Sequence, residues 1–164
     1  MINTVKNWGF VVLLSFCFMS FAMSQVAADN AISFDELVNL IQNRTYKFNG
    51  EWATSQGGRR VKLIEDSNYV IVNKENTIGN LPYYGIISTG GLQNTSEIYF
   101  QDTIFDYRVT VKAKAKKIKV KYKVRSQDVL YYVSFTTFSD GNTLLSVTSR
   151  VSNALSFEGH IVVL

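Results

Sequence analysis

The spacing of apolar residues predicts one helix near the start of the chain. Ser33 and Glu36 have the arrangement of a capping box, in which each side chain bonds to a free backbone N–H at the helix start. The apolar residues that follow have helical spacing and form a single stripe, made of Phe34, Leu37, Val38 and Ile41. We expect this helix to run from about Phe34 to Asn43.

After this helix the pattern changes to the alternation typical of β-strands. Tyr46, Phe48 and Trp52 share one parity, so we expect all three to face the interior. Gly57-Gly58 and Asp140-Gly141 are turn signals. Further alternating or apolar segments cover residues 61–63, 69–72, 108–113, 118–125, 129–138, 143–149 and 155–163. Many short strands at regular spacing predict a mainly β fold, an antiparallel meander that forms a barrel or a strongly curved sheet. The helix should cover one open end or face.

The first 24 residues have the three parts of a secretory signal peptide. Lys6 gives the start a positive charge, residues 9–22 are almost wholly apolar, and Ala22-Met23-Ser24 places small residues before a cut. We therefore expect cleavage before Gln25, or at a second small-residue site that ends at Ala28. Residues 25–164 should then form a single β domain in the periplasm or outside the cell.

Two other interpretations of the N-terminal segment are less favoured. Its apolar run is shorter than the about 20 residues of a membrane-spanning helix, so we expect no transmembrane segment after cleavage. Cys17 follows the bulky Phe16 instead of the small residue of a lipobox, so we do not expect lipid anchoring there. With Cys17 removed, residues 25–164 contain no cysteine and therefore no disulfide, thiolate nucleophile or Cys-ligated metal.

Five stretches stand in an order that resembles a known family. They are Trp52, Gly57-Gly58-Arg59-Arg60-Val61-Lys62-Leu63, Leu81-Pro82-Tyr83-Tyr84-Gly85, the lysine-rich segment 112–125 and Leu155-Ser156-Phe157-Glu158-Gly159-His160-Ile161. Together they resemble the exported bacterial family catalogued as domain of unknown function 4251, over roughly residues 37–161. The chain has Ser55-Gln56 where the family usually shows a proline. The family also often has a proline-aromatic-glycine loop after the Pro-Tyr motif, and residues 86–91 of this chain lack that proline. The resemblance implies an exported, mostly β domain of lipocalin-like shape, and it supplies no activity and no catalytic residues.

Positive charge is concentrated in one predicted hairpin. Residues 112–125 hold eight of the 16 Lys and Arg residues that follow the predicted signal peptide. The alternation with apolar residues predicts a solvent-facing basic surface, made of Lys117, Lys119, Lys121, Lys123 and Arg125. Such a face suits lipid phosphates, acidic glycans or an acidic protein, and it also suits a strand protected against edge-to-edge pairing. Export would remove the chain from nucleic acid, so we expect no nucleic-acid partner.

A second set of candidates surrounds the predicted hairpin and the only proline. Arg59 and Arg60 follow a Gly-Gly turn and could form an anion clip with the turn N–H groups, or simply flank a hairpin. Trp52, Tyr83 and Tyr84 could line the mouth of a barrel and hold an apolar small molecule, or they could fill its core. The sequence leaves both pairs of alternatives open.

The sequence offers little for catalysis. His160 is the only histidine and shares its parity with Glu158, but no serine is evidently activated beside that pair. We expect no catalytic residues, no metal and no cofactor, because one histidine without cysteine makes a zinc site improbable. We interpret the chain as a non-enzymatic binding or envelope-interaction module. A hydrolase using carboxylates such as Glu51, Asp102 or Asp106, and a structural subunit of an envelope assembly, are the alternatives.

Overall fold

The helix forms where its capping box predicts it. The computed structural model describes residues 32–55, 57–83, 97–150 and 154–164, all within one compact unit that starts at Ile32. Helix α1 spans Phe34–Gln42, and the hydroxyl of Ser33 accepts a hydrogen bond of 3.2 Å from the backbone N–H of Glu36. Leu37 and Ile41 are fully buried, so the apolar stripe faces the core. No described helix is long and apolar enough to cross a membrane.

The rest of the described chain is mostly antiparallel β-structure. One 3-10 turn, Ala113–Ala115, lies between β5 and β6. The strands are β1 Thr45–Thr54, β2 Arg60–Lys62, β3 Tyr69–Asn73, β4 Asn76–Pro82, β5 Glu97–Lys112, β6 Lys117–Ser126, β7 Val129–Phe138, β8 Asn142–Ser149 and β9 Leu155–Val163.

Pairing of the first and last long strands closes the sheet into a barrel of eight strands. From β3 to β9 each strand pairs with its neighbours in sequence. On its other side β1 is shared, because its first half pairs with β3 and its second half with the short β2. The predicted mainly β fold with an N-terminal helix is confirmed, as a closed barrel. The predicted signal peptide, including Cys17, lies outside the described residues.

Packed aromatic side chains fill the part of the barrel interior that the described residues line. The fully buried rings include Tyr46, Phe48, Phe100, Phe135 and Phe157. Phe135 makes edge contacts with Tyr46 and Phe48, each with 5.9 Å between ring centroids. This packing favours a solid core over the hollow barrel that the sequence left open.

The few polar groups in this core are hydrogen-bonded. The hydroxyl of Tyr122 lies 3.0 Å from that of Thr77, and Tyr107 donates a hydrogen bond of 2.8 Å to the carbonyl of Ile41 in α1. Burial raises the pKa of Tyr46 and of Tyr122 well above the usual range, so both phenols stay neutral. The tyrosines therefore tie the helix and the barrel wall together without a buried charge.

A β-bulge in β1 reverses the orientation of Trp52. The β1–β9 register shifts between Gly50 and Trp52, so that Phe48, Gly50 and Ala53 are buried while Trp52 is half-buried on the outer face. A side chain at Gly159 would clash with the backbone oxygen of Asn49, so this close approach of β9 requires glycine. The prediction that Trp52 faces inside is wrong, because the extra residue of the bulge changes the parity.

Candidate binding surface on the outer wall

Strand β6 presents its basic residues to solvent. Lys119, Lys121 and Arg125 are exposed and Lys117 and Lys123 are half-buried, alternating with buried apolar residues. The period of two puts all five side chains on the outer wall. Their outward orientation agrees with the alternation in the sequence, and their role in binding stays a prediction.

A groove of about 410 Å³ crosses this wall beside β6. We call it the cationic groove. Cross-strand pairing places Arg108 of β5, Lys121 of β6, Ser134 of β7 and Ser146 of β8 in one row. The other residues that line the groove are Asp106, Tyr122, Lys123, Tyr132, Val133 and Thr148. Four strands thus contribute to a single concave surface.

A second β-bulge shapes the β5 side of this groove. The register between β5 and β6 shifts between Phe105 and Arg108, and Asp106 adopts a left-handed backbone with φ of 56°. Tyr107 points to the helix while Arg108 is exposed opposite Lys121. The bulge therefore places a guanidinium and an ammonium group side by side at the groove.

Positive charge exceeds negative charge in the cationic groove. The ammonium of Lys123 lies 2.5 Å from a carboxylate oxygen of Asp106. The hydrogen bond from Lys123, its charge and the charge of Arg108 lower the pKa of Asp106 below its usual value. Within the described ranges, no carboxylate forms an ion pair with Arg108 or Lys121. Two cations are therefore available to an anionic ligand.

Neutral hydrogen-bonding groups and one aromatic ring complete the cationic groove. Ser134, Ser146 and Thr148 are half-buried, and no side-chain hydrogen bond joins their hydroxyls to the rest of the described chain. The ring of Tyr132 is 42% exposed, with Lys123 5.9 Å from its centroid. Hydroxyl groups, an aromatic face and cations together match a polar ligand that carries negative charge.

A second groove, of about 400 Å³, contains the predicted site residues Trp52 and Arg60. We call it the tryptophan groove. The guanidinium of Arg60 lies 4.3 Å from the centroid of the Trp52 ring, and one of its nitrogens is 2.5 Å from Glu158. The exposed apolar side chains of Phe138 and Leu144 form another part of the lining.

The remaining predicted ligand residues do not gather around Trp52. Gly58 closes the predicted turn with a hydrogen bond to Ser55, and Arg59 is exposed beside it. The guanidinium of Arg60 already contacts Glu158 and Trp52. Arg59 and Arg60 therefore do not form the predicted anion clip. Tyr83 belongs to the core and is 8% exposed, on the opposite face of the wall from Trp52. Tyr84 lies outside the described residues.

The acidic and histidine candidates contact separate partners. His160 lies 2.8 Å from Glu51, whereas its predicted partner Glu158 pairs with Arg60. Asp102 accepts a hydrogen bond from the backbone of Thr103. In the described part of the chain, no group of three or more His, Cys, Asp or Glu is placed to hold a metal.

Sequence reasoning missed the residues that turn the basic strand into a groove. Ser134, Ser146 and Tyr132 have the pattern of ordinary strand positions, because their alignment with Lys121 and Lys123 depends on the register of three strands. The available signal was the outward parity of small hydroxyl residues on β7 and β8. The alternation along one strand shows which face of the sheet a residue occupies, but it does not show which residue of the next strand lies beside it.

Comparison with known proteins identifies the family. The model of the family described as domain of unknown function (DUF4251) matches residues 28–161, so the chain belongs to that family. This chain is similar to the crystal structure of a DUF4251 family protein from Bacteroides eggerthii DSM 20697, with a TM-score of 0.65 and 15% sequence identity between the two chains. The match covers 82% of this chain and 89% of that chain, and at this identity it shows the fold alone. No curated protein matches this chain. The resemblance found in the sequence is thus confirmed.

Proposed function

We propose that this protein is an exported, non-enzymatic binding module that holds an acidic glycan on the outer wall of its barrel. The observation that carries the proposal is the cationic groove, where Arg108 and Lys121 lie beside Lys123 and form no ion pair with any carboxylate of the described residues. The packed aromatic core supports an external site, since it favours a solid interior over a cavity for an apolar small molecule.

The lining of the groove favours a glycan over other acidic partners. An anionic membrane is flat, whereas this groove is concave and its walls carry Ser134, Ser146 and Thr148. A sugar chain offers hydroxyls to these side chains, carboxylates to the cations and a C–H face to the ring of Tyr132. Charge-assisted hydrogen bonds from Arg108 and Lys121 would supply most of the affinity.

The chain offers a closely matched control for a charge test. The double variant Arg108→Gln/Lys121→Gln removes two cations from the groove, whereas Lys119→Gln/Arg125→Gln removes two exposed cations of β6 that do not line it. Both doubles change the net charge equally. Any difference between them therefore reports position and not overall charge.

Calorimetric titration with tetragalacturonate tests the proposal. We expect the groove variant to bind about tenfold or more weakly, since hydrogen bonds to charged groups contribute roughly 1.5–3 kcal/mol each, and the control variant to bind nearly as the wild type does. Affinity should fall as salt is added. Equal weakening in both doubles, or equal affinity for a single-stranded DNA oligonucleotide, would instead indicate a diffuse basic surface. Binding to phosphatidylglycerol vesicles without binding to the uronate would refute a glycan site.

Export is the second component of the proposal. Lys6, the apolar segment 9–22 and the small residues that end at Ser24 support it. N-terminal sequencing of the protein from fractionated cells should give Gln25, or a start close to Asp29. Full-length protein that stays in the cytoplasm, or a lipid on Cys17, contradicts this component and leaves the groove titrations unaffected.

A further inference from the structure

We infer that the glycan is of mixed charge, with an acidic unit in the cationic groove and a neutral unit in the tryptophan groove. This inference rests on the proposed function and names the ligand more closely. The two grooves adjoin on the outer wall. Ser146 lines the first and Leu144 the second, two positions apart on the same face of β8 and thus roughly 7 Å apart.

The neighbouring strand continues the same path. On β9, Ser156 pairs with Ser146 and Glu158 pairs with Leu144. On β1, Trp52 lies opposite Glu158. A ligand that crosses β7, β8 and β9 from the cationic groove therefore reaches the indole of Trp52 without leaving the outer wall.

The two grooves differ in charge. Among the described residues, the cationic groove is lined by three cations, Arg108, Lys121 and Lys123, and one acid, Asp106. The described lining of the tryptophan groove has two carboxylates, Glu51 and Glu158, and one cation, Arg60. An acidic sugar is attracted to the first groove and gains nothing from the second, so a fully charged chain fits only one of them.

The tryptophan groove has the chemistry of a site for a neutral sugar. Trp52 is half-buried there, and Phe138 and Leu144 expose 39% and 43% of their surfaces. Apolar and aromatic side chains pack against the C–H face of a sugar ring. Carboxylates accept hydrogen bonds from sugar hydroxyls, which Glu51 or Glu158 can do while paired.

Arg60 orders this groove before any ligand arrives. Its guanidinium lies over the Trp52 ring at 4.3 Å from the centroid and is held by Glu158 at 2.5 Å. The three side chains belong to β2, β1 and β9, so the stack joins three neighbouring strands. Fixing the indole in this way reduces the entropy lost on binding.

Three oligosaccharides of equal length test whether the ligand is of mixed charge, fully acidic or neutral. A hyaluronan hexasaccharide alternates acidic and neutral units, hexagalacturonate is acidic at every unit, and cellohexaose is neutral. We expect the hyaluronan hexasaccharide to bind about threefold to tenfold more tightly than hexagalacturonate, the gain that one aromatic contact gives. Cellohexaose should bind most weakly, because it leaves the cationic groove without a charged partner.

Tryptophan fluorescence gives a readout at the second groove itself. The chain has two tryptophans, Trp8 and Trp52, and cleavage of the predicted signal peptide removes Trp8, so Trp52 is the only tryptophan in residues 25–164. The hyaluronan hexasaccharide should shift the emission of Trp52, and hexagalacturonate should bind without shifting it. Lys121→Gln should lower the affinity for both ligands to a similar extent.

Variants of the tryptophan groove should remove the preference and not the binding. Trp52→Ala should bring the two uronate ligands to equal affinity, whereas Tyr99→Ala, at an aromatic residue 43% exposed that lines neither groove, should change nothing. Leu144→Lys adds a cation to the tryptophan groove at an exposed position, so this variant can replace Trp52→Ala if the latter does not fold. It should reduce the difference in affinity between the hyaluronan hexasaccharide and hexagalacturonate.

The outcomes distinguish this inference from the proposed function. Equal affinities for the hyaluronan hexasaccharide and hexagalacturonate, with unchanged Trp52 emission, overturn the mixed-charge inference and leave the acidic-glycan function intact. Absence of binding by both uronate ligands refutes the function and the inference together. Cellohexaose binding as tightly as the hyaluronan hexasaccharide refutes the role of the cationic groove.

Discussion

Replacing Gly159 by alanine tests the bulge that turns Trp52 outward. A Cβ at this position would lie 2.9 Å from the carbonyl carbon of Asn49 and 3.0 Å from the Cα of Gly50, and closer still to the oxygen of Asn49. All three atoms are backbone, so no side-chain rotation relieves the contact. Strands β1 and β9 would have to separate at the position where the barrel closes.

The expected cost follows from that separation. Moving two strands apart by roughly 1 Å takes an N···O distance of about 2.9 Å beyond hydrogen-bonding range. Two lost backbone hydrogen bonds at about 1 kcal/mol each, with overpacking strain of roughly 1–3 kcal/mol, give a loss of about 3–5 kcal/mol. Domains are stable by about 5–15 kcal/mol, so Gly159→Ala removes a large share of the stability.

Urea unfolding followed by circular dichroism measures this loss, with Gly58→Ala as the matched control. Gly58 has a φ of +80°, and a Cβ at this position would meet no other atom within 4 Å, so alanine there encounters only left-handed backbone strain. That strain costs about 1–2 kcal/mol. If Gly159→Ala lowers the unfolding free energy no more than Gly58→Ala, with an unchanged m-value, the close approach of β9 is wrong. The outward placement of Trp52 would then lose its basis.

Three further predictions concern the helix cap and the basic wall. Ser33→Ala should lower the unfolding free energy by about 0.5–2 kcal/mol through loss of the N-cap, with Ser33→Asp restoring it; an unchanged urea midpoint would contradict the cap. Replacing Lys119, Lys121 and Lys123 together by Gln should change the melting temperature little, because Lys119 and Lys121 are exposed and the partly exposed Lys123–Asp106 pair contributes only about 0–1 kcal/mol; a large loss would mean that Lys119 or Lys121 is paired or buried. The lowered pKa of Asp106 means that its contribution to stability is complete above the unfolded pKa of about 3.9 and is lost as the pH falls through the lower folded value. Asp106→Asn should therefore remove a small decrease in stability below about pH 4, and a pH profile identical to that of the wild type would contradict the Lys123 pair.

The elements that local chemistry determines could be predicted from the sequence. Ser33 and Glu36 fixed the helix start, since both partners of the cap lie within one turn. The alternation of β6 similarly predicted the outward lysines, because both faces of a strand follow from its own residues. The same local reasoning led from many short strands to a barrel.

The candidate site could not be predicted, because it depends on contacts between distant parts of the chain. Parity put Trp52 inside, and the bulge that reverses it depends on Gly159, far away in sequence. The isolated Gly50 within a strand pattern was the local sign of a bulge. Parity also put His160 and Glu158 on one face, but their partners, Glu51 and Arg60, come from other strands.

The two bulges explain how the residues of the proposed binding surface come to lie on the outside of a barrel whose inside is packed. In a regular strand the parity that fills the core also fixes which residues remain outside, so large side chains such as Trp52 are drawn inward. The bulge in β1 breaks that rule and moves an indole to the wall, while the bulge in β5 places Arg108 beside Lys121. Each change leaves the interior rings of Phe48 and Phe135 in contact. Residues of the outer wall can therefore vary without altering the core, which is consistent with a shared fold at 15% sequence identity.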